Sequence, residues 1–187
     1  MKDELLIRKY LSGDEEAFRA LVEKYLHPIY NFVHFYVYDD HAAEDVTQDI
    51  FVKVWKHMKK FDANKSFKIW VYAIAKNTSF DYLKKKRMLN FSALERDENI
   101  YDIKDILPLP PEILKLKDIG EVLSRALQRL PDKYREILIL YYRNDFNFRE
   151  ISEFFHEPVN TVKSRHRRAL ALLRKVLLEK GGQEKRP

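Results

Sequence analysis

Apolar residues recur at intervals of three and four along the first part of the chain, which is the period of a helix with one buried face. The first stripe predicts a helix over residues 18–36, in which Pro28 is expected to cause a kink or a split because proline has no backbone donor. The apolar positions are Phe18, Leu21, Val22, Tyr25, Ile29, Phe32, Val33 and Tyr36. A polar break at residues 38–41 follows, where Asp39 or Asp40 is expected to cap the next helix.

Two more helices are predicted in the same half of the chain. The second has its apolar stripe at Ala43, Val46, Ile50, Val54 and Met58. Residues 61–66 are predicted to form a loop, and Ser66 is expected to cap a third, long helix that ends near Arg87. The apolar positions of the third helix are Phe67, Trp70, Val71, Ile74, Thr78 and Tyr82.

The helical period stops between Leu89 and Glu112, where acids are mixed with Pro108, Pro110 and Pro111. Proline favours extended backbone before it and cannot continue a helix, so this segment is predicted to be a linker. Helical spacing then resumes. The prediction is an all-α protein with two small helical domains, residues 1–90 and 113–180, joined by a flexible linker at residues 91–112 and followed by a tail at 181–187.

The end of the second domain predicts a helix-turn-helix. Residues 147–155 form a short helix that Asn147 can cap, residues 156–158 form the turn, and a longer helix begins at Val159. Seven basic residues and one acid lie between Val159 and Lys180, opposite an inner seam at Val162, Ala169, Leu173 and Val176. A helix-turn-helix places its second helix in the DNA major groove, so we predict DNA binding; a solvated amphipathic helix is the alternative.

Composition agrees with a polyanionic partner. The chain has 35 basic and 29 acidic residues, a formal charge of +6 and a pI near 9.3. It has no cysteine, which excludes disulfides and thiolate metal sites. Acids near the N-terminus interrupt what would be a signal peptide's apolar core, and the apolar run at 137–142 is too short to cross a bilayer. We therefore expect a cytoplasmic protein without membrane insertion.

Two helix faces away from the predicted core carry candidate binding residues. On the third helix, Phe80 lies beside Asn77 and Lys84, where an exposed ring can stack on unpaired bases. A contact of Phe80 with the linker explains the ring equally well. On the second helix, a polar face surrounds Val52, which suggests a docking surface; a solvated face is the alternative. Its polar residues are Asp45, Gln48, Asp49 and Lys56.

Residues 39–45 raise the separate hypothesis of a metal-dependent hydrolase, because His41 stands among four carboxylates there. Asp40 and His41 are adjacent, however, and point in different directions at a helix start. Helix capping and first-turn acids explain the stretch more simply. No glycine-rich phosphate loop or nucleophile elbow is found, so we expect no enzymatic activity and no cofactor.

Five stretches, taken together and in this order, resemble the extracytoplasmic-function (ECF) group of bacterial sigma factors, the promoter-recognition subunits of RNA polymerase. They are GDEEAFRALVEKY (13–25), AEDVTQDIFVKVW (43–55), FKIWVYAIAKNTSFDYLKKKR (67–87), LPDKYREILILYY (130–142), and REISEFF with TVKSRHRRALALLR (149–174). The resemblance implies core RNA polymerase and promoter DNA as partners, with catalysis left to the polymerase. An anti-sigma factor is a further candidate partner.

The resemblance also implies a role for each surface. It implies docking on the polymerase clamp through Asp45, Gln48, Asp49 and Val52. It implies capture of the opened −10 element by Phe61, Asn64, Asn77, Phe80 and Lys84. It implies reading of the −35 element by Asn160, Thr161, Lys163, Ser164, Arg165 and Arg168.

Four residues of the helix-turn-helix depart from the pattern of this family. His156 stands where the turn commonly has glycine, Glu157 where an aliphatic residue is usual, Asn160 where glycine is usual, and His166 where leucine is usual on the inner seam. These departures leave open whether the domain reads a −35 element or binds another partner. A helix-turn-helix regulator that does not replace sigma on the polymerase is the alternative function, although it would need an upstream α/β domain.

Overall fold

The computed structural model describes residues 2–93 and 118–181, which form eight α-helices and no strand, as the all-α prediction requires. Two compact units are found, Met1–Arg96 and Asp97–Pro187. Most of the predicted linker lies outside the described residues; positions 91–93 belong to the fourth helix. Residues 182–187 of the predicted tail also lie outside them.

The helices of the first unit are α1 (Asp3–Leu11), α2 (Glu15–Val37), α3 (Asp40–Met58) and α4 (Phe67–Ala93). Those of the second unit are α5 (Asp118–Gln128), α6 (Asp132–Tyr142), α7 (Phe148–Phe155) and α8 (Val159–Gly181). In the first unit, α2 packs on α1, α3 and α4. In the second, α8 packs on α5, α6 and α7.

Helix α2 continues through Pro28, so the predicted split does not occur. Buried side chains lie on both sides of the proline, including Tyr25, Ile29 and Phe32. Burial of that stripe against three other helices can offset the one backbone hydrogen bond that proline cannot make.

Side-chain caps fix the start of several helices. Asp39 caps α3 by accepting a hydrogen bond of 2.8 Å from the Ala42 backbone N–H, which decides between the two predicted aspartates. Ser66 Oγ accepts a long hydrogen bond of 3.4 Å from the Ile69 N–H at the start of α4. These caps fix where α3 and α4 begin, and so fix which residues of each helix are exposed.

The buried face of α4 is centred differently from the prediction. Val71, Tyr72, Ala75 and Ser79 are all almost fully buried, whereas Trp70, Ile74 and Tyr82 of the predicted stripe are only partly buried. The ring of Tyr72 packs edge-on against Phe32 of α2, with 5.0 Å between centroids. The predicted stripe is therefore only partly right: Phe67, Val71 and Thr78 are buried as predicted, but the buried face turns toward Tyr72, Ala75 and Ser79, which the prediction left out.

Helix α1 was not predicted. It buries Leu6 and Ile7 and leaves Leu5 exposed, too little for a clear helical period. Asp3 links it to α2 by accepting hydrogen bonds from Lys24 Nζ at 2.6 Å and from the Tyr25 hydroxyl at 2.5 Å. A long-range interaction of this kind leaves no local signal in the sequence.

Helix α6 contributes a fully buried segment to the second unit. Its residues 136–140 are buried all round, as expected for a helix enclosed by its neighbours. Other core residues of this unit include Phe146, Ile151, Val162 and Ala169, each at most 1% exposed.

Candidate nucleic-acid and protein interfaces

The helix-turn-helix is formed by α7, the turn at 156–158 and α8, as predicted. Asn147 and Glu150 make a reciprocal capping box at the start of α7. His156 ends the helix in the left-handed region, with φ 55° and ψ 42°, at the position where the family that the sequence resembles commonly has glycine. A left-handed residue other than glycine costs roughly 1 kcal/mol. The geometry of the turn is kept despite the substitution.

Most of the predicted −35 residues lie on one exposed surface of α8. Asn160, Thr161, Lys163 and Arg168 are exposed, and Arg167, which was not among the predicted residues, is exposed as well. The surface is strongly basic, as binding to phosphates requires.

Two of the predicted −35 residues already have partners within the chain. Ser164 is exposed but donates its hydroxyl hydrogen bond to the Asn160 carbonyl at 2.8 Å. Arg165 is paired with Glu157, at 2.6 Å from Nη2 to Oε1 and 2.5 Å to Oε2. The sequence does contain an acid eight residues before Arg165, at position 157. Helical spacing could not predict that the two side chains pair, because Glu157 lies in the turn and not in the helix.

His166 lies at the edge of the inner seam and is partly exposed. Its Nε2 is buried without a hydrogen-bond partner, and the rings of Tyr141, Tyr142 and Phe148 lie 4.8, 5.5 and 5.2 Å from the imidazole. Burial lowers the pKa of His166 from its ordinary value, because the charged form loses hydration there.

The outer face of α3 carries the predicted docking residues. Asp45, Gln48 and Asp49 are exposed, and Val52 is 47% exposed, on the side opposite the buried Val46 and Ile50. Trp55, one turn further along, is 56% exposed. Three-residue spacing from Val52 is a signal that could have identified it. The two apolar side chains follow an acidic turn, a composition suited to a protein partner.

The predicted base-stacking residue Phe80 is 41% exposed on α4 and has a firm support. The ring of Tyr36 lies 5.4 Å from it, and Lys76 Nζ lies 5.7 Å from its centroid. Asn77 and Lys84 are exposed on the same helix. Together they form a ring beside positive charge, which suits an unpaired base and its phosphate. The alternative contact with the linker falls outside the described residues.

The two loop residues predicted to contact the −10 element differ in their surroundings. Phe61 is only 9% exposed, with Phe67 and Trp70 at centroid distances of 5.8 and 4.7 Å. Asn64 is exposed, and Asp62 Oδ1 accepts hydrogen bonds from its backbone N–H at 3.0 Å and its side-chain amide at 3.1 Å. In this conformation Phe61 supports the loop from beneath, while Asn64 lies at its surface.

The acids near residues 39–45 serve the local structure. Asp39 caps α3, and the hydrogen bond from the Ala42 N–H lowers the pKa of its carboxyl. Asp40 lies 3.1 Å from His34 Nε2 and accepts a hydrogen bond of 3.2 Å from the Tyr30 hydroxyl. Within residues 2–93 and 118–181, no three His, Asp or Glu side chains converge as a metal site would require.

Comparison with known proteins assigns both units. The family model of Sigma-70 region 2 matches residues 21–88, and that of Sigma-70, region 4 matches residues 120–173. The ECF RNA polymerase sigma factor SigW of Bacillus subtilis is 31% identical over 183 residues, covering 93% of this chain and 98% of that protein. The RNA polymerase sigma-H factor of Pseudomonas aeruginosa is also 31% identical, over 94% of each chain.

Solved structures agree with these relatives. The sigma factor RpoE of Bartonella quintana, in complex with the anti-sigma factor NepR, is similar with a TM-score of 0.64 at 25% identity, covering 86% of this chain and 96% of that one. CnrH, in complex with the cytosolic domain of CnrY, has a TM-score of 0.68 at 22% identity, covering 94% and 96%, and supports the fold.

The chain belongs to the sigma-70 family, in its extracytoplasmic-function group, and is an RNA polymerase sigma factor. The alternative of a helix-turn-helix regulator with an upstream α/β domain is therefore wrong, since the first unit is helical and matches Sigma-70 region 2. Of the helices in the described part of the chain, none is both long and apolar enough to span a membrane.

Proposed function

We propose that this sigma factor binds core RNA polymerase through the outer face of α3 and directs it to promoters in the cytoplasm, without catalytic activity of its own. Loop 61–66 and α4 capture the opened −10 element, and α8 reads the −35 element. The observation that carries the proposal is Phe80: its ring remains 41% exposed although Tyr36 supports it, an arrangement that serves stacking better than it serves the core.

The docking surface on α3 is defined by Asp45, Gln48, Asp49 and Val52, with Trp55 added by its exposure. Residues that contribute most of the affinity of an interface lie near its centre and are often tryptophan, tyrosine or arginine, which favours Trp55 as an anchor, while polar residues form the rim. Acids along this face are complementary to a basic partner surface.

An anti-sigma factor is part of the proposal. Support comes from RpoE of Bartonella quintana, which is similar to most of this chain and was solved with its anti-sigma factor. Such a partner would act by covering one of the surfaces described above. The α3 face suggests inhibition by competition, in which the anti-sigma factor and core polymerase bind the same surface.

The docking role is tested by Val52→Glu, which adds a charge to a side chain that is 47% exposed. We expect the variant to fold normally and to lose its complex with core polymerase in size-exclusion chromatography, because a desolvated, unpaired charge is costly in an interface. Leu26→Glu is the matched control, since Leu26 is 48% exposed in the same unit and has no proposed partner. Retained binding by Val52→Glu, or equal loss by Leu26→Glu, would contradict the assignment.

A further inference from the structure

Arg165 is less exposed than the other basic residues of α8 between positions 159 and 178. Its side chain is 18% exposed, whereas Lys163, Arg167 and Arg168 are exposed. Both carboxylate oxygens of Glu157 lie within 2.6 Å of its Nη2, and its guanidinium carbon lies 5.4 Å from the Phe155 ring centroid. Charge, hydrogen bonding and ring stacking therefore hold the side chain against the turn.

Glu157 is itself held in place by the turn. Its backbone N–H donates to the Ser152 carbonyl at 2.9 Å, and its own carbonyl accepts a hydrogen bond from the Ser152 hydroxyl. The carboxylate is 30% exposed, so the pair is partly screened from water. An ion pair between two ordered partners at this depth competes well with a phosphate that reaches the protein from outside.

We propose that Glu157 withholds Arg165 from DNA and so limits the affinity of α8 for the DNA backbone. The inference rests on the proposed reading of DNA by α8, and it reduces the set of residues that contact DNA. The reading surface consists of Asn160, Thr161, Lys163 and Arg168, and Arg165 instead ties the start of α8 to the turn. The DNA phosphate is the anion that Glu157 replaces.

Removing the carboxylate should release Arg165 to a phosphate. Each additional phosphate contact steepens the dependence of log affinity on log salt by about 0.9. The affinity of the variant relative to the wild type should therefore rise roughly eightfold when the salt concentration falls from 1 M to 0.1 M. Glu157→Gln in the holoenzyme should show this gain on a promoter duplex and, because a phosphate contact carries no sequence information, an equal gain on unrelated DNA. The DNA contacts of the core polymerase are the same in every holoenzyme, so they cancel when the affinities of two variants are compared.

Glu153→Gln is the matched control, because Glu153 is an exposed acid of the same helix-turn-helix and its loss changes the net charge equally. It should leave the salt slope close to that of the wild type. Arg165→Ala should change wild-type affinity less than twofold, but should remove the whole gain in the Glu157→Gln background. If Glu157→Gln does not fold, Glu157→Leu removes the same carboxylate and places an aliphatic side chain at this position.

Two results would overturn the proposal. If Glu157→Gln and Arg165→Ala both weaken binding, Glu157 orients Arg165 toward DNA. If Glu157→Gln leaves the salt slope unchanged or matches Glu153→Gln, no phosphate contact has been withheld. Arg168→Ala separates this failure from failure of the proposed function: a loss of affinity there keeps α8 on the DNA, whereas no effect removes the reading surface as a whole.

Discussion

Truncation of Phe80 to alanine tests whether the exposed ring of α4 captures an unpaired base. The ring is 41% exposed and rests on Tyr36 at 5.4 Å, so its removal takes away one aromatic pair and little core volume. An aromatic pair contributes about 0.5–1.5 kcal/mol beyond burial, and the lost burial of the covered part of the ring adds to this loss in the free energy of unfolding. The variant should therefore remain folded.

The loss in promoter opening should be larger. Stacking of a base on an aromatic side chain contributes about 1–3 kcal/mol, and only an unpaired base can make this contact. A loss of that size lowers the equilibrium constant for opening about 5- to 150-fold, whereas the closed complex should be unchanged. Phe80→Leu is the control variant, because it retains an apolar side chain without a ring for stacking.

Permanganate footprinting of unpaired thymines measures opening, and filter binding at low temperature measures the closed complex. We expect weak footprints and normal closed-complex affinity for Phe80→Ala, with Phe80→Leu close to it. Wild-type footprints in Phe80→Ala would refute the reasoning. A loss of opening that Phe80→Leu fully restores would assign Phe80 a packing role instead.

Arg168→Ala should weaken promoter binding. If Arg168 contacts a phosphate, the salt slope should fall by roughly one; if it reads a base, specificity at one base pair should relax by about 1–3 kcal/mol. Unchanged affinity and an unchanged slope would show that Arg168 does not contact DNA. His166→Leu should stabilise the chain and flatten its melting temperature between about pH 7.5 and pH 5.5. The folded-state pKa of His166 is lowered from 6.5 by burial, so the unfolded chain binds the proton first and stability is lost as the pH falls through that value. An equally pH-dependent melting temperature in the leucine variant would show that His166 does not cause the loss.

Local patterns predicted what depends on neighbouring residues in the sequence. The stripe of α3, most of the stripe of α2, the Asp39 cap and the helix-turn-helix follow from helical period and capping chemistry, and the structure confirms them; Phe18 and Val22 of the α2 stripe are only partly buried. The exposure of Val52 and Phe80 follows from the same period, because each lies off the buried stripe.

Features that depend on tertiary partners were not predictable in this way. Tyr72 is fully buried because Phe32 of another helix receives its ring, and α1 is held by hydrogen bonds to α2. Phe61 lies in a loop by pattern, yet it is buried beneath that loop against α4. The pairing of Arg165 with Glu157 likewise depends on the path of the turn.

Run-off transcription with core RNA polymerase tests the central claim most directly. Core enzyme alone and core enzyme with the full chain are given the same library of genomic fragments, and the transcript ends are mapped. The account predicts that the chain yields discrete start sites preceded by shared −35 and −10 sequences, and that Val52→Glu abolishes them while Leu26→Glu does not. Identical transcripts with and without the chain would contradict it.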